Sequence, residues 1–220
     1  MSSKGQIYVF QERARAPFIT VVTPQKVNNK GEPKFAVTIL LTPGSADEKG
    51  IKAALLAVAK EAFPGRDLKT LKFPIESGAA AADRSSIRNK DGSFFRGHTV
   101  FKASSNEENP PVLSVLEGKK IRELLGAQRE AEGRKLFYNG CYILCAAYFS
   151  AYKSGSEGGV GEYSGVKAYL NQVLWVADGP RIGGAPSAEI FKGYAGSVTA
   201  EDPYAGADEA PYAGADEAPF

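Results

Sequence analysis

The sequence has few of the residues that metal sites and nucleophilic catalysis require. Its 220 residues include one histidine, His98, and two cysteines, Cys141 and Cys145. Structural zinc takes four ligands, and a hydrolytic triad needs a histidine beside its nucleophile. No GxxxxGK[ST] phosphate loop is present, and Ser164 stands where a GxGxxG loop would need its third glycine. We therefore predict a protein that is not an enzyme and that uses no metal or cofactor.

Long apolar runs are also missing. No segment approaches the ~20 apolar residues of a membrane helix, and the N-terminal MSSKGQIYVF lacks the apolar run of a secretory signal. Hydrophobic residues make up 43% of the chain, which is enough for one sizeable core. These features predict a soluble cytoplasmic protein in which Cys141 and Cys145 are reduced thiols on the core side of one strand.

The charges are separated along the chain. Residues 201–220 contain six acidic residues and no lysine or arginine. Residues 1–200 therefore hold 27 basic and 19 acidic residues, a net charge of +8. A basic body with an acidic tail is typical of a polyanion-binding surface that has an intramolecular competitor. A mildly basic domain with a solubilising tail would give the same charges.

Most of the body has the composition of β-strands. Residues 17–23 (PFITVVT) and 34–42 (KFAVTILLT) predict a hairpin around the turn NNKGEP. Ser45 and Glu48 then form a capping-box pattern at the start of a helix that Pro64 ends.

Three more strands and one more helix are predicted downstream. The strands are SFFRGHTVFKASS, YNGCYILCAAYFSAY and YSGVKAYLNQVLWVA, the last two joined by the glycine-rich SGSEGGVG. The segment KKIRELLGAQREAEG has the apolar spacing of a short helix, whereas DRSSIRNKDG is typical of an exposed loop. Because strands and helices do not alternate regularly, we predict a mainly β protein, an antiparallel barrel with inserted helices.

Cations and aromatic rings coincide on the faces of these strands. Alternation places the following residues on shared faces of the last three strands: Arg96, His98 and Lys102; Tyr142, Tyr148 and Tyr152; and Lys167, Tyr169, Asn171, Val173 and Trp175. Cations neutralise phosphates and rings stack on unpaired bases, so these faces favour binding of single-stranded nucleic acid. Tyrosine also packs well on half-exposed sheet faces for purely structural reasons.

Several segments resemble a phage protein family. KFAVTILLTP, GHTVFKASS, FYNGCYILCAAYFSAY and GVKAYLNQVLWVADGPRIGG are similar to phage single-stranded DNA-binding proteins with an OB fold, a family first defined as a domain of unknown function. The resemblance spans most of residues 5–192. It implies a five-stranded OB-type barrel with extended hairpins, and binding of single-stranded DNA in the cytoplasm of an infected bacterial host.

The predicted DNA-binding domain is residues 1–195, followed by a flexible tail of residues 196–220. Its expected DNA contacts are Lys34, Arg96, His98, Lys102, Tyr142, Tyr148, Tyr152, Lys167, Tyr169 and Trp175. Such a protein would coat single strands in phage replication or recombination, as a homodimer or a cooperative assembly on DNA. A single-strand annealing protein of phage recombination and a phage structural or assembly protein are the alternatives.

The tail repeats the unit PYAGADEA twice, and its proline, glycine and acidic residues predict disorder. It resembles the acidic tails of replicative single-stranded DNA-binding proteins, whose terminal aromatic residue docks on partner proteins. The residues expected to contact partners such as a polymerase, helicase or primase are Asp208, Glu209, Asp216, Glu217 and Phe220. We expect the tail to compete with DNA for the basic face, although drift would also produce the repeat.

Overall fold

The computed structural model describes residues 7–27, 30–87, 92–154 and 163–183, and the compact unit is Met1–Ile182. Its strands are β1 (Ile7–Val9), β2 (Ala14–Val27), β3 (Lys30–Leu41), β4 (Ile75–Ser77), β5 (Thr99–Asn106), β6 (Val112–Glu117), β7 (Lys120–Glu123), β8 (Tyr142–Tyr152) and β9 (Gly165–Ala177). Its α-helices are α1 (Ala46–Ala62), α2 (Gly78–Ile87), α3 (Ala127–Ala131) and α4 (Gly133–Leu136). Short 3-10 helices span Leu68–Thr70 and Ser93–Phe95.

Five of the strands close into a ring in the order β2, β3, β5, β9, β8 and back to β2. The β2–β3, β3–β5, β8–β9 and β2–β8 pairings are antiparallel. The β5–β9 pairing is parallel and brings Ser104 opposite Tyr169. A parallel pair requires a long crossover, which here carries β6, β7, α3, α4 and β8. The mainly β, five-stranded OB-type barrel is thus confirmed, with one parallel pairing among its four antiparallel ones.

The barrel core is built by strand alternation. On β8 the inward residues Ile143, Cys145, Ala147 and Phe149 are all buried, whereas the outward tyrosines are half-exposed. Cys141 and Cys145 are buried free thiols, as predicted, and burial raises the pKa of Cys141 to about 11. Burial raises the pKa of Cys145 as well. Neither sulfur is therefore a ready thiolate nucleophile.

Helix α1 starts at the predicted cap. Ser45 Oγ accepts a hydrogen bond from Glu48 N at 3.2 Å, and the Glu48 carboxylate accepts one from Gly44 N at 2.6 Å. Glu48 also accepts from Lys52 Nζ at 2.7 Å and from Thr99 Oγ1 at 2.5 Å. The bond from Thr99 connects the first turn of α1 to β5. Farther along the helix, Ile51, Leu55 and Ala59 are buried and pack in the core.

The N-terminal strand β1 is fastened to the same helix turn through Asp47, which is 1% exposed. Asp47 accepts hydrogen bonds from the backbone N–H groups of Gln11 and Glu12 and from Tyr8 Oη at 3.0 Å. Burial, followed by the hydrogen bond to Asp47, raises the pKa of Tyr8 to about 12. Because β1 pairs with β8, this contact joins α1 to the outer edge of the barrel.

Two sequence-based predictions of local structure were wrong. The helix expected in residues 119–133 begins instead with strand β7, which pairs with β6 across the two-residue turn Gly118–Lys119. Hydrogen bonding to β6 therefore makes residues 120–123 a strand, although their apolar spacing is that of a helix. The loop expected from Asp83 onward is helical as far as Ile87, because Ala81 and Ala82 of α2 pack on Leu40 and Val100 in a second small core.

Some predicted features lie outside the described residues. They are the first hairpin turn at residues 28–29, the glycine-rich segment 155–162 and the whole acidic tail. Within the described ranges, the helices fall short of the length and apolarity that a membrane crossing would demand.

A Glu48→Gln substitution should lower the melting temperature at pH 7. The hydrogen bonds from Lys52 and Thr99, with the one from Gly44, lower the pKa of Glu48 from 4.5 to about 2. The stabilisation is therefore complete above about pH 4.5 and is lost as the pH falls towards about 2. We expect a loss of about 1–3 kcal/mol at pH 7, measured by thermal unfolding, that shrinks through this window.

The control for this substitution is Glu61→Gln, which removes an exposed carboxylate from the same helix. It should leave stability nearly unchanged at every pH. Equal melting temperatures for Glu48→Gln and the parent at pH 7 would contradict the role assigned to Glu48.

Candidate nucleic-acid interface

The outward faces of β3, β5, β9 and β8 form one continuous surface. The strand register places Lys102 of β5 beside Thr38 of β3, and Ser104 of β5 beside Tyr169 of β9. Across the β8–β9 ladder, Tyr148 lies opposite Tyr169 and Ser150 lies opposite Lys167. Lysines and tyrosines from separate parts of the chain therefore meet on one side of the barrel.

A cleft of about 690 Å³ runs over this surface, between the barrel and α2. We call it the main cleft. Among the described residues, its lining contains six cationic side chains and no carboxylate; the cations are Lys26, Lys34, Lys72, Arg84, Lys102 and Lys167. The aromatic residues of the lining are Phe18, Phe73, Phe95 and Tyr152. A surplus of positive charge beside apolar rings suits a ligand that combines anions with flat apolar groups.

A second cleft of about 650 Å³ adjoins the first and shares Lys34 and Lys167 with it. We call it the side cleft. It contains Tyr148 and Tyr169 together with Ser105, Asn106, Asn109 and Asn171, and it also includes Glu32 and Glu108. The two lysines therefore stand at the junction of a path that crosses the barrel.

Lys34 and Lys167 are held close together without a neutralising partner. Neither forms an ion pair with a carboxylate of the described residues. Burial, and then repulsion from Lys34, lowers the pKa of Lys167. Its ammonium lies 4.7 Å from the centre of the Tyr169 ring, a cation–π contact. An anion bound at this junction would relieve the repulsion between the two ammonium groups.

Tyr148 and Tyr169 form a stacked pair beside the junction. Their ring centres are 4.9 Å apart and their planes differ by 5°. Both side chains are half-exposed, and burial raises the pKa of Tyr148. The two rings thus stack face to face next to two lysines, and we call the pair the Tyr148–Tyr169 platform.

Lys102 and Arg84 are engaged by an acid from outside the lining. Lys102 Nζ donates to Glu76 Oε1 at 2.6 Å, and Arg84 Nη2 donates to the same oxygen. Burial acts to raise the pKa of Glu76, but these two hydrogen bonds bring it below its usual value. Glu76 therefore shares one negative charge between two of the six cations and fixes α2 against β5.

Arg96 and His98 were predicted on the same strand face as Lys102, and that placement was wrong. Ser93–Phe95 form a 3-10 helix, and Gly97 adopts a φ of +78°, so β5 begins only at Thr99. Arg96 instead pairs with Asp83 at 3.0 Å on the outside of α2. His98 Nδ1 lies 3.1 Å from Arg96 O, and neither residue lines either cleft.

The placement of Val173 and Trp175 with Lys167 and Tyr169 was also wrong. Ala146 pairs with Gln172 and Ala147 with Leu170, which leaves Asn171 as a bulge that reverses the alternation of β9. Val173 is consequently fully buried, and Trp175 packs against the core. The buried Nε1 of Trp175 has no partner among the described residues.

The other sequence-based candidates divide between the two ends of β8. Tyr148 lines the side cleft and Tyr152 lines the main cleft, as Lys34 and Lys167 line both. Tyr142 lies at the opposite end of β8, where the Arg13 guanidinium covers its ring at 5.4 Å. The tail candidates lie outside the described residues.

Sequence reasoning missed several residues of the main cleft. Phe18, on the outward face of β2, is 44% exposed and contacts Phe94 and Phe95 at ring distances of 5.8 and 6.0 Å. Alternation against the buried Ile19 could have identified it. Lys72 gave no such signal, because it is brought to the cleft by a long-range bond from Val166 N to Lys72 O at 2.9 Å.

A five-stranded barrel with unpaired cations and exposed rings on one face belongs to the OB class, in which a sheet face and its neighbouring loops bind oligomeric ligands. The family model of the ssDNA-binding protein of Enterobacter phage Enc34 matches residues 7–202. The chain belongs to this family, which confirms the resemblance found in the sequence. No curated protein matches the sequence.

Solved structures are similar to the chain in fold. The single-stranded DNA-binding protein from bacteriophage Enc34 matches with a TM-score of 0.55 and 20% identity, over 80% of this chain and 85% of that one. The same phage protein in complex with ssDNA gives 0.54 and 20%, over 78% and 86%. Gp2.5, a single-stranded DNA-binding protein encoded by bacteriophage T7, gives 0.47 and 15%, over 97% and 100%.

A Lys167→Met substitution should raise the melting temperature, because it removes a half-buried charge that Lys34 repels. Solvent screens part of this repulsion, so the expected gain is small, about 1–2 °C at low salt. The lowered pKa means that the penalty is complete at neutral pH and disappears as the pH rises past 10.5. Thermal unfolding at pH 7 and above pH 10.5 measures both effects.

Lys60→Met, on the exposed side of α1, is the matched control and should not raise stability. A Lys167→Met protein that is less stable than the parent at pH 7 would show that the contact with Tyr169 outweighs the repulsion.

Proposed function

We propose that this protein binds single-stranded DNA along the main and side clefts without strong sequence preference. The observation that carries the proposal is the main cleft, where the described lining has six cations and no carboxylate, and which opens beside the Tyr148–Tyr169 platform. Phosphates would lie at Lys34 and Lys167, which lack ion-pair partners among the described residues.

The aromatic residues favour single strands over duplex. Phe18, Tyr152 and the Tyr148–Tyr169 pair present rings to the clefts, and a base stacks on such a ring only when it is unpaired. Each base stacked on a ring contributes roughly 1–3 kcal/mol with any base identity. Direct base readout would need side-chain amides aimed at base edges. The main cleft is lined mostly by cations and apolar groups, and in the side cleft Asn109 Nδ2 donates to Asn106 Oδ1 at 2.9 Å, so these two amides bind each other.

Family membership supports the same ligand. The Enc34 protein is named as an ssDNA-binding protein and has been solved in complex with ssDNA. In this chain the contact set supported by geometry is Lys34, Lys167, Tyr148, Tyr152 and Tyr169, with Lys102 in part held by Glu76. Arg96, His98 and Trp175 lie outside both clefts and are not included. A role in phage replication or recombination follows from the family and the ligand.

Replacing both junction lysines, Lys34→Ala with Lys167→Ala, should weaken binding of oligothymidine by at least tenfold at low salt. The slope of log affinity against log salt should fall by about 1.4, since each single-strand phosphate contact contributes about 0.7. Fluorescence anisotropy of a labelled oligonucleotide at several salt concentrations measures both quantities.

The control is the double variant Lys49→Ala with Lys60→Ala, which removes the same charge from exposed positions of α1. It should bind almost as the parent does. Equal losses in the two double variants would mean that net charge, rather than the cleft, determines binding. A parent protein with no preference for single strands over other polyanions would favour a structural or assembly role.

The acidic segment 201–220 is proposed to compete with DNA for the clefts and, when displaced, to dock on replication proteins. It combines six acidic residues with Tyr204, Tyr212 and Phe220, so it offers negative charge and rings as DNA does. The domain proposed to bind DNA is residues 1–195, and residues 196–220 are the proposed regulatory tail. The cationic side chains of the main cleft support this competition by charge complementarity.

Deletion of residues 201–220 should strengthen DNA binding several-fold at low salt, with the difference vanishing at high salt where charges are screened. A full-length variant with its six acids changed to Asn or Gln should match the deletion. A variant with Tyr204, Tyr212 and Phe220 changed to Ser should retain most of the inhibition. Unchanged affinity on deletion at low salt would remove the competitor role, and leave docking to be tested with purified replication proteins.

A further inference from the structure

A second cluster of cations and rings lies at the other end of β8, outside both clefts. We call it the arginine patch; it comprises Arg13, Arg15, Arg181, Tyr138 and Tyr142. The Arg13 guanidinium lies 5.4 Å from the Tyr142 ring centre, and the Arg181 guanidinium lies 4.2 Å from that of Tyr138. None of the three arginines forms an ion pair with a described carboxylate.

The patch is ordered by hydrogen bonds that attach the segment after β9 to the barrel beneath it. Tyr138 Oη donates to Asp178 Oδ1 at 2.8 Å and accepts from Gly179 N at 3.0 Å. Arg15 Nη2 donates to Pro180 O at 2.7 Å. The Tyr142 ring packs so closely on Gly179 that an added Cβ would lie 3.0 Å from it. The two tyrosine rings and Arg15 are therefore held in place, and Arg13 and Arg181 contact the rings from the exposed side.

The chemistry of the patch fits phosphodiester groups. A guanidinium stacked on a phenol ring keeps its N–H edges free for paired hydrogen bonds to phosphate oxygens. Stacking also orders the long side chain before the ligand arrives, which lowers the entropy cost of binding. The carboxylate of Asp178, which contacts the patch, already accepts a hydrogen bond from the Tyr138 hydroxyl group. Arg13 and Arg181 are exposed and can reach a ligand.

We infer that the arginine patch binds the same DNA strand beyond the clefts and so lengthens the binding site; this inference rests on the function proposed above. Tyr142 and Tyr148 face outward from one strand, six residues and about 20 Å apart. At about 3.4 Å per stacked nucleotide, this distance corresponds to roughly six nucleotides. One strand of moderate length can therefore contact the clefts and the patch together, within the site sizes of OB barrels.

The test is the dependence of affinity on oligonucleotide length. Arg13→Ala with Arg181→Ala should bind oligothymidine of about 4 nucleotides, which is too short to reach from the clefts to the patch, as the parent does. With about 20 nucleotides, a length above the longest site expected for one barrel, it should lose at least tenfold in affinity, and its salt slope should fall by about 1.4. Arg15 is left unchanged because it holds Pro180. The Lys34→Ala, Lys167→Ala protein should instead weaken binding at both lengths.

Two further variants separate ligand contact from folding and from net charge. Arg13→Lys with Arg181→Lys keeps the charge but not the paired hydrogen bonds, and should restore most of the salt slope while affinity for the long oligonucleotide stays lower. The Lys49→Ala, Lys60→Ala protein should show no length-dependent loss. Melting temperatures of all variants should match the parent within about 3 °C.

Three outcomes would overturn the inference. The Arg13→Ala, Arg181→Ala protein could bind both lengths as the parent does, or weaken equally at both. It could also bind both lengths normally but lose the ability to accelerate pairing of complementary strands, which would assign the patch to a second strand. A parent protein that binds no oligonucleotide overturns the proposed function itself, and is thereby distinguished from failure of the patch alone.

Discussion

The surface that carries the two clefts depends on closure of the barrel between β2 and β8. The junction is short: Ala14 pairs with Ile143 and Arg15 with Tyr142, and Ala16 N donates to Cys141 O at 3.0 Å. Once these bonds form, the β8 side chains that fill the interior are fixed, and the alternate side chains must point outward. The outward tyrosines of β8 are therefore available for function because the inward residues satisfy the core.

Charge has opposite effects on stability at the start of α1 and at the junction of the two clefts. At the start of α1, Asp47 and Glu48 are buried and each accepts several hydrogen bonds, so charge there stabilises the fold. At the cleft junction, Lys34 and Lys167 are brought together without a carboxylate, so charge there opposes folding. Such an arrangement persists only on a scaffold that other contacts hold rigid, and it is the expected cost of a site prepared for an anion. Glu76 is intermediate, since its one negative charge pairs with both Lys102 and Arg84 while it anchors α2.

The sequence predicted what local patterns control, and failed where distant contacts decide. The first hairpin, the α1 cap and the core face of β8 each follow from residues within a few positions of one another, and each is present. Strand β7 was missed because the segment pairs with β6 as a hairpin in spite of its helical spacing. Lys72 was missed because its place beside the cleft depends on backbone bonds to the distant Ser164 and Val166. Tyr148, Tyr169 and Lys167 were correctly placed on the outward face because alternation holds as far as Leu170. Beyond that point it fails, since a bulge cannot be seen in the periodicity of a single strand.

That bulge at Asn171 explains how one strand can serve the cleft, the core and the added β6–β7 hairpin at once. Before it, β9 directs Lys167 and Tyr169 outward and contacts β5. After it, the alternation reverses, so Val173 fills the core and Trp175 packs against it while residues 172–175 pair with β6. Without the extra residue, continuous alternation would turn Val173 and Trp175 outward and leave the core beside Ile143 unfilled. The departure from regular strand geometry is thus the condition that lets a cationic outer face and a closed apolar interior share the same strand.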